Sequence, residues 1–189
     1  MKYKLMRGIG VLAVIAGGAA LLAQTPAARE RPLDVVPEVD YERYAGRWFE
    51  IARLPNEFEE DCARDVTATY TPRPDGRITV VNRCVEKDGS INEAEGIARR
   101  VDGKPPSVLE VRFAPGWLSF LPMVWGDYQI IHLAPDYTHA IVGSPDRKYL
   151  WFLARQPKID PALYGKLKER AKAQGFDVSR LIQTEQTGG

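Results

Sequence analysis

Two cysteines, two histidines and scattered carboxylates are the side chains here with the means to do chemistry, and spacing decides how much is open to them. Cys62 and Cys84 are too few to hold a structural zinc ion alone and too far apart for a Cys-x-x-Cys redox pair. They fit a disulfide in an oxidising compartment. The alternative is two free buried thiols, and a titration of free thiols separates the two, since a disulfide removes the best nucleophiles in the chain. The bridge would close a loop of about twenty residues and, unstrained, stabilise the fold by roughly 3 kcal/mol. His132 and His139 form no recognisable acid–base constellation with the cysteines. By alternation His132 shares a strand face with Tyr128 and Ile130, and it is the one inward candidate for ligating a tetrapyrrole or haem. Glu50 stands two residues after Trp48; if both face the interior, the buried carboxylate needs a partner.

Positioning any of these groups falls to a chain of 189 residues, 44% hydrophobic and 27% charged, with a formal net charge of +1. That balance describes an ordinary globular domain and gives no basic surface for nucleic acid. Lys2, Lys4 and Arg7 precede an apolar run from Ile9 to Ala23, the pattern of a signal peptide over residues 1–28, with retention as an uncleaved anchor the alternative. A polar, proline-bearing linker is expected over residues 29–38 and a single domain over 39–185. No cysteine ends the apolar run to accept a lipid.

Within the domain the apolar pattern has period two. Asp40 caps a short turn that Gly46 ends, and Trp48 to Arg53 opens the first strand. Val66-Thr-Ala-Thr-Tyr70 alternates, Pro72-Arg-Pro-Asp-Gly76 turns the chain, and Arg77 to Val85 returns it. Further strands are expected over Ile91 to Val101, Ser107 to Phe113, Trp125 to Leu133, His139 to Ser144 and Tyr149 to Arg155. Eight strands joined without intervening helices make an all-β, up-and-down antiparallel barrel able to hold one small ligand. A sandwich would need longer crossing connections. The period changes only at Asp160-Pro161, where an N-cap, a first-turn proline and Gly175 past the end bracket a C-terminal helix. Its Leu163, Leu167 and Ala171 stripe is expected to pack outside the barrel, with Leu181 to Thr184 as a short ninth strand.

Gly46-Arg-Trp48, Gly126-Asp-Tyr128 and Arg155, in this order, resemble the three signature motifs of the lipocalin family. The runs Tyr44 to Pro55, Val66 to Tyr70 and Tyr149 to Pro157 are similar to those of its bacterial outer-membrane members and of apolipoprotein D. Gly126 stands where the second motif usually begins with threonine. Alternating strand direction puts Gly46, Trp48 and Arg155 together at a closed floor, guanidinium across indole, and puts Cys62 and Cys84 near the open mouth, where their register requires a bulge. The resemblance implies that Tyr70, Asn82, Phe113, Tyr128 and Trp151 line a pocket. It also implies a non-catalytic carrier of fatty acid or lysophospholipid, exported to the periplasm and associated with the outer membrane, with no cofactor or metal. Lipocalin-like isomerase chemistry and tetrapyrrole binding are the alternatives. One mouth loop, Ala114 to Val124, is uncharged, and its Trp117, Leu118, Phe120 and Leu121 suit a membrane surface or a homodimer contact.

Overall fold

The computed structural model describes residues 31–113 and 125–188. The expected signal peptide and the apolar loop with Trp117, Leu118, Phe120 and Leu121 lie outside the described residues.

The eight expected strands form and pair in sequence order. They are β1 (Gly46–Arg53), β2 (Cys62–Pro72), β3 (Ile78–Glu86), β4 (Ile91–Arg100), β5 (Val108–Arg112), β6 (Gly126–Leu133), β7 (His139–Gly143) and β8 (Leu150–Ala154). β8 returns to β1, and β1 pairs with β2, so the antiparallel sheet closes into a barrel. Gly76 and Gly89 take φ of +78° and +87° in the β2–β3 and β3–β4 turns, a conformation that glycine adopts without the clash a Cβ would bring.

The floor is built by α1 (Tyr41–Tyr44), the single turn before β1. Its N-cap Asp40 accepts from the backbone N–H of Glu42 and Arg43, and Gly46, at φ +89°, redirects the chain into the strand. Trp48 is fully buried, and its Nε1 donates to the Tyr44 carbonyl at 2.8 Å. The Arg155 guanidinium lies 3.9 Å from the centre of the indole and donates to the carbonyls of Arg47, Arg43 and Tyr137. One side chain thus ties α1, β1 and the β6–β7 turn together beneath the barrel. Arg155→Ala should cost about 2 kcal/mol, from lost charge-assisted hydrogen bonds and the cation–π contact. Chemical denaturation measures it; a stability equal to wild type would show that the floor does not depend on this clamp.

Outside the barrel runs α2 (Pro161–Ala173), capped by Asp160 with proline in its first turn. Leu167 and Ala171 are buried with Ile131, Ile141, Phe152 and Phe176 in a second core on the outer face of β6 to β8. Gly143 makes room for Phe176, whose ring would stand 2.5 Å from any Cβ there.

Two segments depart from expectation. Residues 31–38, expected as a linker, are docked on the barrel. Leu33 is buried in the outer core, Asp34 exchanges backbone hydrogen bonds with the Gln174 amide, and Val36 N donates to Ile130 O. The apolar residues among the polar ones supply the reason, because each finds a groove on the sheet. The C-terminal segment forms the expected short ninth strand and departs from expectation only in running on past it along the seam. β1 meets β2 only from Gly46↔Tyr70 to Phe49↔Thr67; beyond that the two strands part, and β9 (Ile182–Gln183) pairs with Ala52 and Arg53. Thr184 N donates to Ile51 O and Asp65 N to Glu185 O, while the buried Gln186 amide reaches Glu50 O at 2.8 Å and Val66 O at 2.9 Å. The strand edges that would stand unpaired are sealed, and the sealing residue lies one past the expected domain end.

Candidate ligand-binding site

The interior is filled at the floor and empties toward the mouth. Trp48, Ile130, Val142 and Leu153 pack the lower barrel. Above them the inward positions turn small on one wall: β4 presents Ala98, then Gly96, then Ala94 toward the mouth, facing Ile78, Val80 and Asn82 of β3. Ala98 and Gly96 are buried but Ala94 is exposed, and Ala68 and Asn82 are only half-buried. Inward residues that meet solvent leave the upper wall of the barrel accessible to a guest.

All five residues expected to line the pocket sit on this inward face. Tyr70 and Tyr128 form its base with Tyr44, which sequence did not single out: the Tyr128 hydroxyl is 2.9 Å from that of Tyr44 and 2.9 Å from that of Tyr70. Burial pushes the Tyr70 phenol up to about 12 and those of Tyr44 and Tyr128 well above their ordinary value, so all three keep their protons. Three O–H groups serve two hydrogen bonds, which leaves one donor with no acceptor among the described residues. Asn82 stands on the β3 wall opposite Ala94. Phe113 lies over Gly96, where a Cβ would come within 2.7 Å of its ring, and remains 41% exposed. Trp151 is half-buried on β8, stacked on Tyr149 at 5.9 Å and 11°.

Bulges place other groups where alternation does not. A register shift between Glu50 and Ala52 sets Glu50 opposite Leu153 and Arg53 opposite Trp151, so both charged side chains turn inward. Arg53 Nη1 is 3.3 Å from Glu50 Oε1, and its Nε is 3.0 Å from Glu59 Oε2, an ion pair without hydrogen-bond alignment. Glu59 comes from a 3-10 turn, Glu57–Glu59, capped by Asn56, and also accepts from Asn56 Nδ2 and Trp151 Nε1. The partner that Glu50 needed is therefore Arg53, three residues on.

A second bulge, between Ile130 and His132, moves His132 out of the face shared by Tyr128 and Ile130. It lies opposite the outward Ile141, its ring 5.3 Å from that of His139, which pairs with the outward Ala154. Burial, then the positive Arg170 of α2, then His139 hold the His132 imidazole down to about 4. The expected inward histidine is thus on the outer wall and offers nothing to a guest in the cavity.

At the mouth, Cys62 and Cys84 form a disulfide between the start of β2 and the end of β3, with Cα atoms 5.7 Å apart. The slack their register required is present as shifts on either side of Arg64.

Comparison with known proteins agrees with this architecture. Residues 39–186 match the model of the lipocalin-like domain family. The chain is 39% identical over 160 residues to temperature-induced lipocalin-1 of Arabidopsis thaliana, covering 84% of this chain and 85% of that protein. It is 35% identical over 184 residues to the outer membrane lipoprotein Blc of Escherichia coli K12, covering 97% and 99%. Among solved structures, insecticyanin from the tobacco hornworm Manduca sexta superposes with a TM-score of 0.64 at 21% identity, over 82% of this chain and 85% of that one, a likeness of fold. With the floor clamp, the closed meander, the outer helix and a family match across nearly all the described residues, the chain belongs to the lipocalin family.

Proposed function

We propose that this protein is a non-catalytic carrier in the bacterial cell envelope that holds a fatty acid or lysophospholipid in the barrel. The observation that carries the proposal is the inward face that turns small at Gly96 and Ala94 and meets solvent at Ala94, Ala68 and Asn82. Its small-residue wall and the Phe113 and Trp151 rings suit a single acyl chain, and the tyrosine cluster and Asn82 offer a few fixed polar groups for an oxygen-bearing part of the guest. The disulfide supports an oxidising compartment, in keeping with export behind residues 1–28. The similarity to an outer membrane lipoprotein supports the envelope.

Native mass spectrometry of protein purified from its own envelope should show a mass increment that organic extraction identifies as a single-chain lipid. Ala68→Trp places an indole in the cavity from an inward, half-buried position and should weaken binding of that lipid by at least about tenfold. Retained binding by the folded variant would move the guest elsewhere on the molecule.

A further inference from the structure

The Glu50–Arg53–Glu59 cluster is not required by the barrel. Lipid-lined walls are served by apolar residues, and two carboxylates on one guanidinium leave one negative charge without a counter-charge when both are ionised. Burying such a charge unpaired is costly, so the group takes up a proton instead. The geometry shows where. Glu50 is 2% exposed and accepts from the Thr184 hydroxyl, and it and Glu59 stand 3.3 Å and 3.0 Å from the one Arg53 guanidinium, so ionising both sets two negative charges against one positive. Burial first, then Glu59, pushes the Glu50 carboxyl well above the usual carboxylate range, against the pull of Arg53. Among the described residues, the other groups bonded to the cluster or paired beside it carry no charge: Leu153 and Trp151 of β8, and Thr184 and Gln186 of the C-terminal segment.

Glu59 is the member that a guest can reach. It is half-buried at the mouth, bonded to Trp151, whose ring is stacked on Tyr149; the ring of Phe58 stands 5.4 Å from that of Tyr149. Aromatic faces beside a carboxylate are the surroundings that a desolvated ammonium group prefers. The same loop carries Glu57 and Glu60, which add to the negative field at this edge of the mouth, while Asp61 is already paired with Lys87 at 3.7 Å and Lys148 lies near Glu57.

We propose that this cluster is the headgroup subsite of the barrel, taking the ammonium group of a single-chain amphiphile against Glu59 and Trp151 while the proton held by the carboxyl pair leaves to solvent. The charge balances: one cation enters, one proton departs, and two carboxylates then face Arg53 and the ammonium. The inference rests on the lipid-carrier reading and narrows it to guests with a cationic group, as in a lysophospholipid carrying ethanolamine or choline, over a free fatty acid.

The test is calorimetric titration of the delipidated full chain with three guests of equal acyl length: a lysophosphatidylethanolamine, a fatty acid and a neutral monoacylglycerol. Each is run in buffers of different ionisation enthalpy and across pH 5 to 9. For the ammonium guest, up to about one proton should be released, and affinity should rise by up to about tenfold per pH unit while the cluster still carries its proton. The fatty acid should weaken over the same range, and the monoacylglycerol should show neither effect. Glu50→Gln, an isostere of the protonated acid, should abolish proton release. Should that variant fail to fold, the wild-type titrations decide alone. Binding of all three guests without proton release, or with equal release for all, overturns the headgroup subsite and leaves the carrier standing. Binding of none overturns both.

Discussion

Trp48→Ala should destabilise the protein by about 3–5 kcal/mol, the range for emptying a large aromatic from a closed core. Trp48 is fully buried, so the surroundings have no solvent-filled space to collapse into. Three further interactions go with the ring: the Nε1 hydrogen bond to Tyr44, the tilted contact with the Tyr44 ring at 4.8 Å, and the face on which Arg155 rests. Trp48→Phe keeps most of the volume and loses the hydrogen bond, so its cost should be smaller, about 1–2 kcal/mol. Urea unfolding followed by circular dichroism measures both. Equal losses for the two variants would assign the effect to the hydrogen bond and contradict the packing account.

Removing the bridge by Cys62→Ser with Cys84→Ser should cost about 3 kcal/mol, since the two residues are 22 apart and the bond restricts the unfolded chain over that loop. The denaturant slope should rise as the released chain expands. The loss has a position as well as a size. The bridge joins β2 and β3 at the mouth, where bulges beside Arg64 already interrupt the ladder, so hydrogen exchange should quicken first in the mouth ends of those strands. Uniform acceleration across the barrel would show the disulfide to be a global staple with no special bearing on the mouth.

Period-two patterning was enough to locate the strands because most side chains here obey it. Val66 to Tyr70 alternates in the sequence and lies inside the longer β2, and the Pro-Asp-Gly and Asp-Gly turns fall where strands reverse. The helix was equally legible, since its cap, its proline and its terminal glycine each have one physical job. The floor followed from strand direction alone, and alternation from Arg155 turned Trp151 inward, whereas the placement of Tyr70 and Asn82 came from the family resemblance.

What stayed hidden has one main cause. A β-bulge sets two residues against one and reverses the face of everything beyond it, yet no residue type announces it. The bulge at Ile51 turned Arg53 inward beside Glu50, and the one at Ile131 turned His132 outward, against plain alternation. Glu59 entered the site from a loop, where no period exists to follow. Leu33 and Val36 were too few among polar neighbours to give a pattern, so their docking depends on grooves that only the assembled sheet provides.

The seal across the β1–β2 seam carries a consequence for how the molecule comes together. Gln186 meets Glu50 and Val66 across 136 and 120 residues of sequence, whereas the β2–β3 and β3–β4 hairpins form between near neighbours. Contacts that far apart must wait for the chain between them to be ordered, because closing so long a loop early is entropically expensive. Until the last stretch arrives, the upper half of the molecule is a trough with two raw strand edges, and only the lower half is a tube. The hazard of edge-to-edge aggregation is therefore concentrated in that interval. A chaperone able to shield a sheet edge would matter most to the nearly finished chain.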